Sequence, residues 1–279
     1  MIRILPYTSS SFAPLSGDAA EFFAAGKTIR ELILDRFPPD FSGEVVIRGD
    51  FVPSQDLADI LAGDRPVRVL APDGESVLAH NGGNSPVELF PDTDSVWLCF
   101  PWDLLRLNEI LLAHLTEKIE GTVREGVTID GTLRLGRGSI LLPGVYIEGN
   151  VIIGEHCKIG PNCYIRGYTA IGDHCHIGQA VEIKNSLIGE HTAIGHLSYA
   201  GDSIIGKRVN FGAGTIISNF RHDGQNHRFK VDGKLISTGR RKFGAVIGDG
   251  VHTGIHTAIY PGRSLISGAS TLPGEVVKR

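Results

Sequence analysis

A six-residue periodicity that begins near residue 121 limits the folds open to this chain more than any other feature. Every sixth residue from 129 to 183 is apolar, and glycine often follows it directly. The apolar positions are Ile129, Leu135, Leu141, Ile147, Ile153, Ile159, Ile165, Ile171, Ile177 and Ile183. A period of six fits neither an α-helix, which repeats every 3.6 residues, nor a simple alternating strand. It is typical of a short strand plus a corner, the hexapeptide repeat of a parallel β-helix, in which three repeats form one triangular coil.

Three of the four cysteines lie inside this repeat. Cys157, Cys163 and Cys175 each stand two residues before an apolar repeat position. An even cysteine count is compatible with disulfides, but inward positions in a β-helix suit small buried thiols. The spacing therefore predicts core packing rather than a metal or redox role.

The repeat becomes irregular after Ile183. Its phase shifts near His196 and again before Ile205, and a polar, basic stretch without repeats (residues 218–243) follows before the hexads resume at Ile247. The slip near His196 predicts a bulge that re-aims this side chain, and long excursions from a solenoid are usually functional. The alternatives are a solvated corner residue for His196 and a flexible, solvated flap for the excursion.

The first part of the chain has a different character. We predict a small α/β domain over residues 1–100, a connecting helix over 101–119 that begins at Pro101, and the β-helix over 120–279. Within the first domain, residues 17–37 look helical with Asp18 as N-cap, and residues 43–52 and 94–100 look like strands.

Charge and hydropathy exclude several functional classes. The net charge of −4 gives no sign of nucleic-acid binding, and no apolar run approaches the ~20 residues needed to span a membrane. The N-terminus lacks a basic start followed by an apolar segment, so we expect a soluble, cytoplasmic protein without a signal peptide.

Five sequence blocks carry a resemblance to a known family. They are YIRG at 164–167, VEIKNS at 181–186, GHLSYAGD at 195–202, VNFGAGTIISNF at 209–220 and STGRRKFGAVIGDGVHTGI at 237–255. With the hexads, they make residues 121–277 resemble the left-handed β-helix acyltransferases. The similarity is greatest to the acetyltransferase half of the bifunctional sugar-1-phosphate nucleotidylyltransferase/acetyltransferases, including the glucosamine-1-phosphate N-acetyltransferase type.

This resemblance implies the fold, the partners and the activity. It implies a left-handed coil, a homotrimer with active sites between subunits, and acetyl transfer from acetyl-CoA to the amine of an amino sugar phosphate, with no metal required. The Gly-rich nucleotide-binding loop of the bifunctional enzymes is missing from residues 1–100. We therefore expect no nucleotidylyltransferase activity.

The resemblance also implies roles for particular residues. His196 would be the general base, oriented by Glu182, and Asn219 or a backbone N–H would stabilise the oxyanion. Arg166 and Lys184, eighteen residues apart, would stack on one face as a phosphate clamp. Tyr199 and Asn210 would contact the sugar hydroxyls, and Lys230 would be the loop cation that reaches the sugar phosphate. The backbone of Ala213 would contact CoA.

Two other interpretations stay open. The chain could be a non-catalytic trimeric scaffold or a regulatory subunit that binds a sugar nucleotide. Some trimeric β-helices hold zinc through histidines, but His191 and His196 are placed on different faces by the hexad pattern, which disfavours a shared zinc ion.

Overall fold

The computed structural model describes residues 1–278, in which a small α/β unit packs against a long parallel β-helix. The first unit is built on a five-stranded mixed sheet. Its strands, in spatial order, are Ile2–Leu5, Val45–Arg48, Val77–His80, Val67–Leu70 and Val87–Leu89. Two short antiparallel pairs accompany it, Phe23–Ala24 with Lys27–Thr28 and Phe51–Val52 with Val96–Trp97.

Three helices complete this unit, namely α1 (Ile29–Leu34), α2 (Gln55–Ala62) and α3 (Pro101–Leu112). The predicted long helix over 17–37 is wrong. Asp18 caps only a single 3-10 turn, and the chain then forms a hairpin before Thr28 and Glu31 make the capping box that starts α1. Helix α3 begins at Pro101 as expected but ends at Leu112, after which residues 118–119 join the first β-helix coil.

The hexads form the predicted parallel β-helix, which has three faces that we name A, B and C. Strands Thr128–Leu135 and Tyr146–Ile153 run through the corner from face A to face B. The other face A strands are Tyr164–Arg166, Glu182–Lys184, Tyr199–Gly201, Ile216–Ile217, Ala258–Ile259 and Val276–Val277.

Faces B and C are built in the same way. The other face B strands are Lys118–Ile119, Thr169–Ile171, Leu187–Ile188, Ile204–Ile205, Ala245–Ile247 and Arg263–Leu265. Face C consists of Thr122–Val123, Ile140–Leu141, Lys158–Ile159, His176–Gln179, Ala193–His196, Asn210–Phe211 and His252–Thr253.

The interior of the prism is the predicted apolar column. Ile147, Ile165 and Ile183 pair in register on successive coils and are fully buried. Cys157, Cys163 and Cys175 are free thiols, at most 2% exposed, inside the same core, which confirms that they pack as small apolar residues.

The irregularities of the repeat all fall at the corner between faces A and B. Ile183 to Ile188 and Ala200 to Ile205 are shortened steps, and residues 218–244 leave the prism between Ile217 and Ile247 at the same corner. His196 instead ends a regular face C strand opposite Gln179. The predicted bulge at His196 is therefore wrong, since the slips lie on either side of it at a different corner.

Helix α3 covers face B of the prism. The outward residues of this face are apolar and share one core with Leu104 and Leu105 of the helix, and they are Ile152, Ala170, Leu187, Ile204 and Val246. The excursion also joins this core. Its hairpin, Arg228–Val231 with Lys234–Ser237, is folded rather than a solvated flap, because Phe229 and Phe243 pack edge-on against Trp102 with ring centroids 5.7 and 6.2 Å away.

No helix among residues 1–278 has the length and apolar character needed to cross a membrane.

Candidate active site

Face A places Arg166 and Lys184 one above the other, as the sequence predicts. The two residues are direct partners in the parallel register. Ile165 and Ile183, the residues immediately before them, point inward, so Arg166 and Lys184 point outward. Two cations thus stand on adjacent coils of one outer surface, the arrangement expected of a phosphate clamp.

Each of these cations already has a carboxylate partner. Arg166 donates from Nε and Nη2 to Glu182 Oε1 at 2.9 and 2.7 Å, and its guanidinium lies 5.1 Å from the ring centroid of Tyr164. Lys184 Nζ donates to both carboxylate oxygens of Asp202, at 3.0 and 2.8 Å. The cations are therefore held in fixed positions, and a bound phosphate would share them with these carboxylates.

Asp202 is the centre of a polar ladder that sequence reasoning missed. Its side chain is 3% exposed and lies at the A–B corner between Asn185, one coil before, and Asn219, one coil after. Asn185 Nδ2 donates to Asp202 Oδ1 at 3.0 Å, and Asn219 Nδ2 donates to Oδ2 at 2.5 Å. With Lys184, four donor contacts satisfy this buried carboxylate. Its presence in the block GHLSYAGD, seventeen residues after Asn185 and seventeen before Asn219, was the available signal.

The ladder also fixes Tyr199. Asn219 Nδ2 donates to Tyr199 Oη at 2.9 Å, so the phenolic hydrogen is free to donate elsewhere. Gly201 makes room for this contact, because a Cβ there would overlap Tyr199 Oη and lie 2.6 Å from Asn219 Nδ2. Burial, followed by the charges of Asp202 and Glu182, raises the pKa of Tyr199 and keeps it a neutral donor.

Asn219 is less free than the sequence prediction assumes. Both hydrogens of its amide are used, one by Tyr199 and one by Asp202. Donation to an oxyanion would require that one of these bonds be given up.

His196 lies around the C–A corner from this cluster. It is exposed at the end of a face C strand, three residues before Tyr199. Its backbone carbonyl accepts from the Ser198 hydroxyl and the Gly214 N–H, and within residues 1–278 its imidazole makes no hydrogen bond. Glu182, predicted to orient this imidazole, is instead bound to Arg166 on face A. A single chain therefore does not bring Glu182 and His196 together.

The remaining predicted residues lie at different positions along face C. Asn210 is exposed at the start of a face C strand, on the B–C side, in register with Ala193 and three positions before the column of His196. Ala213 is partly buried after that strand, and its carbonyl accepts from the His256 N–H.

Lys230 is exposed on the hairpin, opposite Leu235, and points away from the core that its neighbour Phe229 enters. The loop cation linked to the ladder is Arg240, which forms an ion pair with Glu109 of α3, and Glu109 in turn accepts a hydrogen bond from Asn185. The base of the loop is held by His227, which is buried with Nε2 3.1 Å from the Asn219 carbonyl oxygen. Burial lowers the pKa of His227, so the neutral imidazole donates this bond.

His191, one of the two histidines considered for zinc, lies elsewhere. It forms an exposed stack with His174 and His156 at the B–C corner, with centroid separations of 4.7 Å (His174 to His191) and 5.1 Å (His156 to His174). His196 lies at the other end of face C, so it does not share a ligand face with this stack.

Comparison with known proteins shows which proteins this chain resembles. A family model described as the GMPPB C-terminal domain matches residues 147–267. A bifunctional sugar-1-phosphate nucleotidylyltransferase/acetyltransferase from Sulfurisphaera tokodaii is 48% identical over 100 residues, covering 36% of this chain and 25% of that protein. The bifunctional protein GlmU of Methanococcus maripaludis is 49% identical over 174 residues, covering 62% of this chain and 42% of that protein. Among solved structures, the acetyltransferase domain of PglB from Neisseria gonorrhoeae aligns with a TM-score of 0.34 and 18% identity, covering 42% of this chain and 58% of that chain.

The repeat region has the parallel β-solenoid fold of hexapeptide-repeat proteins, and these matches agree with the resemblance that its sequence blocks carry. More particularly, over 100 to 174 residues the chain is similar to a bifunctional sugar-1-phosphate nucleotidylyltransferase/acetyltransferase and to bifunctional GlmU proteins. It spans less than half the length of the curated relatives given above.

Asp202 provides a stability test of the ladder. Replacement by alanine leaves the Lys184 ammonium, whose side chain is 23% exposed, without its carboxylate. It also places alanine, which adopts the left-handed region less readily than aspartate, at φ 51°. We expect a loss of about 3 kcal/mol, discounted for the partial exposure of Lys184, and a fall in Tm of roughly 6–12 °C. Asp202→Asn, which tolerates the same backbone and keeps one acceptor, should lose less. Equal melting temperatures for wild type and Asp202→Ala in thermal unfolding would contradict the ladder's role.

Proposed function

We propose that the protein is an N-acetyltransferase that moves an acetyl group from acetyl-CoA to the amine of an amino sugar phosphate, with His196 as general base. The observation that carries this proposal is the outward Arg166–Lys184 stack beside the neutral donor Tyr199, one corner away from an exposed imidazole. Similarity to a protein named as a bifunctional sugar-1-phosphate nucleotidylyltransferase/acetyltransferase supports the same chemistry.

The chemistry needs one proton acceptor and one anion site. The amine of an amino sugar is protonated near neutral pH, and an imidazole is a base of the strength that suits removal of a proton at this pH. The ammonium proton passes through the imidazole to solvent, and the free amine attacks the thioester carbonyl. The nitrogen gives its second proton to the imidazole as the C–N bond forms, the C–S bond breaks, and the thiolate of CoA takes that proton from the imidazolium. A backbone N–H, or Asn219 after release of one of its bonds, would stabilise the oxyanion.

The acceptor is held through its phosphate and its hydroxyls. Arg166 and Lys184 bind the phosphate, and Glu182 and Asp202 keep these cations in position before it arrives. Tyr199 donates its free phenolic hydrogen to a sugar oxygen, Asn210 contacts another, and Ala213 lies along the CoA arm. We retain Lys230 only as a secondary candidate for the phosphate, since Arg240 is the loop cation whose ion-pair partner, Glu109, also bonds Asn185 of the ladder.

A homotrimer would complete this site. Face B is covered by the chain's own helix α3, whereas faces A and C carry the candidate residues and are open to another copy. Leu197, 63% exposed at the C–A corner at φ 50°, is an apolar side chain that a second copy would cover. Packing of this corner against a neighbour would let Glu182 of one chain approach His196 of another.

We place the reaction in the cytoplasm and expect no nucleotidylyltransferase activity.

A thiol-release assay tests the function. Acetyl-CoA should be consumed with glucosamine-1-phosphate, galactosamine-1-phosphate or a UDP-amino sugar, and the preferred acceptor should show the lowest KM. Removal of the amine, as in glucose-1-phosphate, should abolish release. If none of these acceptors supports thiol release while a sugar nucleotide still binds, the enzyme proposal fails and the scaffold alternative gains support.

A further inference from the structure

Helix α3 is attached to three successive coils of the β-helix at the A–B corner. Asn150 Nδ2 donates to the Leu112 carbonyl at 2.7 Å, and Asn108 Nδ2 donates to the Tyr168 carbonyl at 2.8 Å. On the next coil, Asn185 Nδ2 donates to Glu109 Oε1 at 2.8 Å. The helix thus follows the corner where the coils shorten and where the loop leaves the prism.

Glu109 joins the helix to the ladder and to the loop at once. Its carboxylate forms an ion pair with Arg240 of the loop, and the two side chains are 27% and 19% exposed. Asn185, which Glu109 accepts from, also donates to Asp202, and Asp202 holds Lys184 through both oxygens. Only two side chains therefore separate Glu109 from the Lys184 ammonium.

Partial burial strengthens these contacts relative to exposed ion pairs. Asn185 has two amide hydrogens, one for Glu109 and one for Asp202, so its orientation is set by both acceptors. Loss of Glu109 would free Asn185 to turn and would leave the Arg240 guanidinium without its partner beside the ladder.

We propose that Glu109 is a positioning residue for the phosphate-binding Lys184, acting through Asn185 and Asp202, and that this is how the N-terminal unit contributes to the reaction. The inference rests on the proposed role of Lys184 in binding the acceptor phosphate. It assigns a catalytic contribution to a unit that lacks the nucleotide-binding loop of the bifunctional relatives.

The test is the kinetics of Glu109→Ala in the full chain. We expect KM for the amino sugar phosphate to rise roughly 3- to 30-fold, with KM for acetyl-CoA unchanged. Glu109→Gln keeps an oxygen for Asn185 and should recover most of the wild-type KM. Arg106→Gln is the matched control on the same helix, because Arg106 donates only to the Thr93 carbonyl at 3.2 Å and should leave both KM values unchanged. A purely structural role would lower the active fraction, and hence kcat, without moving either KM.

A double-mutant cycle keeps the inference separate from the proposed function. Glu109→Ala and Asp202→Asn should shift the thermal midpoint non-additively, since they act on one hydrogen-bonded chain. An active wild type with an unchanged acceptor KM in Glu109→Ala overturns the positioning role and leaves the proposed function standing. An inactive wild type overturns the proposed function. The double-mutant cycle then decides whether Glu109 and Asp202 are coupled, and additive shifts in the thermal midpoint would overturn the inference.

Discussion

Replacement of His196 by alanine is expected to lower kcat about 100-fold or more, because the acceptor amine then has no general base at hand. The imidazole is exposed and only its backbone is hydrogen-bonded, so the fold should survive the change with an unaltered Tm. The residual rate should rise with pH, since free amine accumulates in solution as pH increases. Steady-state thiol release at several pH values, with saturating acetyl-CoA, measures both effects.

His176 supplies the matched control. It is an exposed histidine on the preceding coil of the same face, opposite Ala193 in register, and its pKa is lowered by partial burial and by the nearby charges of Lys158 and His196. His176→Ala should keep kcat within about twofold of wild type, because this exposed side chain has no part in the proposed reaction although it lies near His196. Equal rates for wild type and His196→Ala would reject the base assignment and leave the imidazole as a solvated corner residue.

The largest stability effect is expected for Gly178→Ala. Gly178 is buried on face C, and an added Cβ would overlap the carbonyl oxygen of Gly195 on the next coil. That oxygen is main chain, so the clash is relieved only if the two coils separate. We expect a loss of about 4 kcal/mol, at the upper end of single substitutions, and a fall in Tm of roughly 8–16 °C in thermal unfolding.

Gly195→Ala is the control for this prediction. Gly195 occupies the same column one coil later, but a Cβ there has no atom within 4 Å. Its substitution should change Tm by no more than about 2 °C. Similar melting temperatures for the two variants would show that the coils can move apart at little cost in free energy. That result would contradict the close approach of Gly178 to the Gly195 carbonyl.

The hexad pattern was sufficient to predict the prism because inward positions of a β-helix recur with the coil itself. Ile165 and Ile183 had to stack, and so did Arg166 and Lys184 beside them, once the period was recognised. Helix α1 was harder, because the run from Asp18 to Phe37 has apolar residues at helical spacing while two local features, the Asp18 turn and the Thr28 capping box, divide it. Propensity alone does not reveal which of two competing caps starts a helix.

The candidate site shows the same division. The sequence blocks named His196, Arg166, Lys184 and Tyr199, and their roles remain predictions. They did not reveal Asp202 as the buried acceptor or Glu109 as its distant support, because residues 109 and 185 are brought together only when α3 docks on the corner. Nor did they show that Glu182 is paired with Arg166 rather than with an imidazole.

By itself, the sequence determined the coil, its apolar interior and the vertical alignment of residues one coil apart, since these follow from a repeat acting through nearest neighbours. Tertiary structure alone decided which corner takes the shortened steps, that the basic excursion folds against Trp102, and which carboxylate each cation meets. The physical reason is that these contacts join segments far apart in the chain, whose packing depends on burial and charge balance across the whole molecule rather than on any local period.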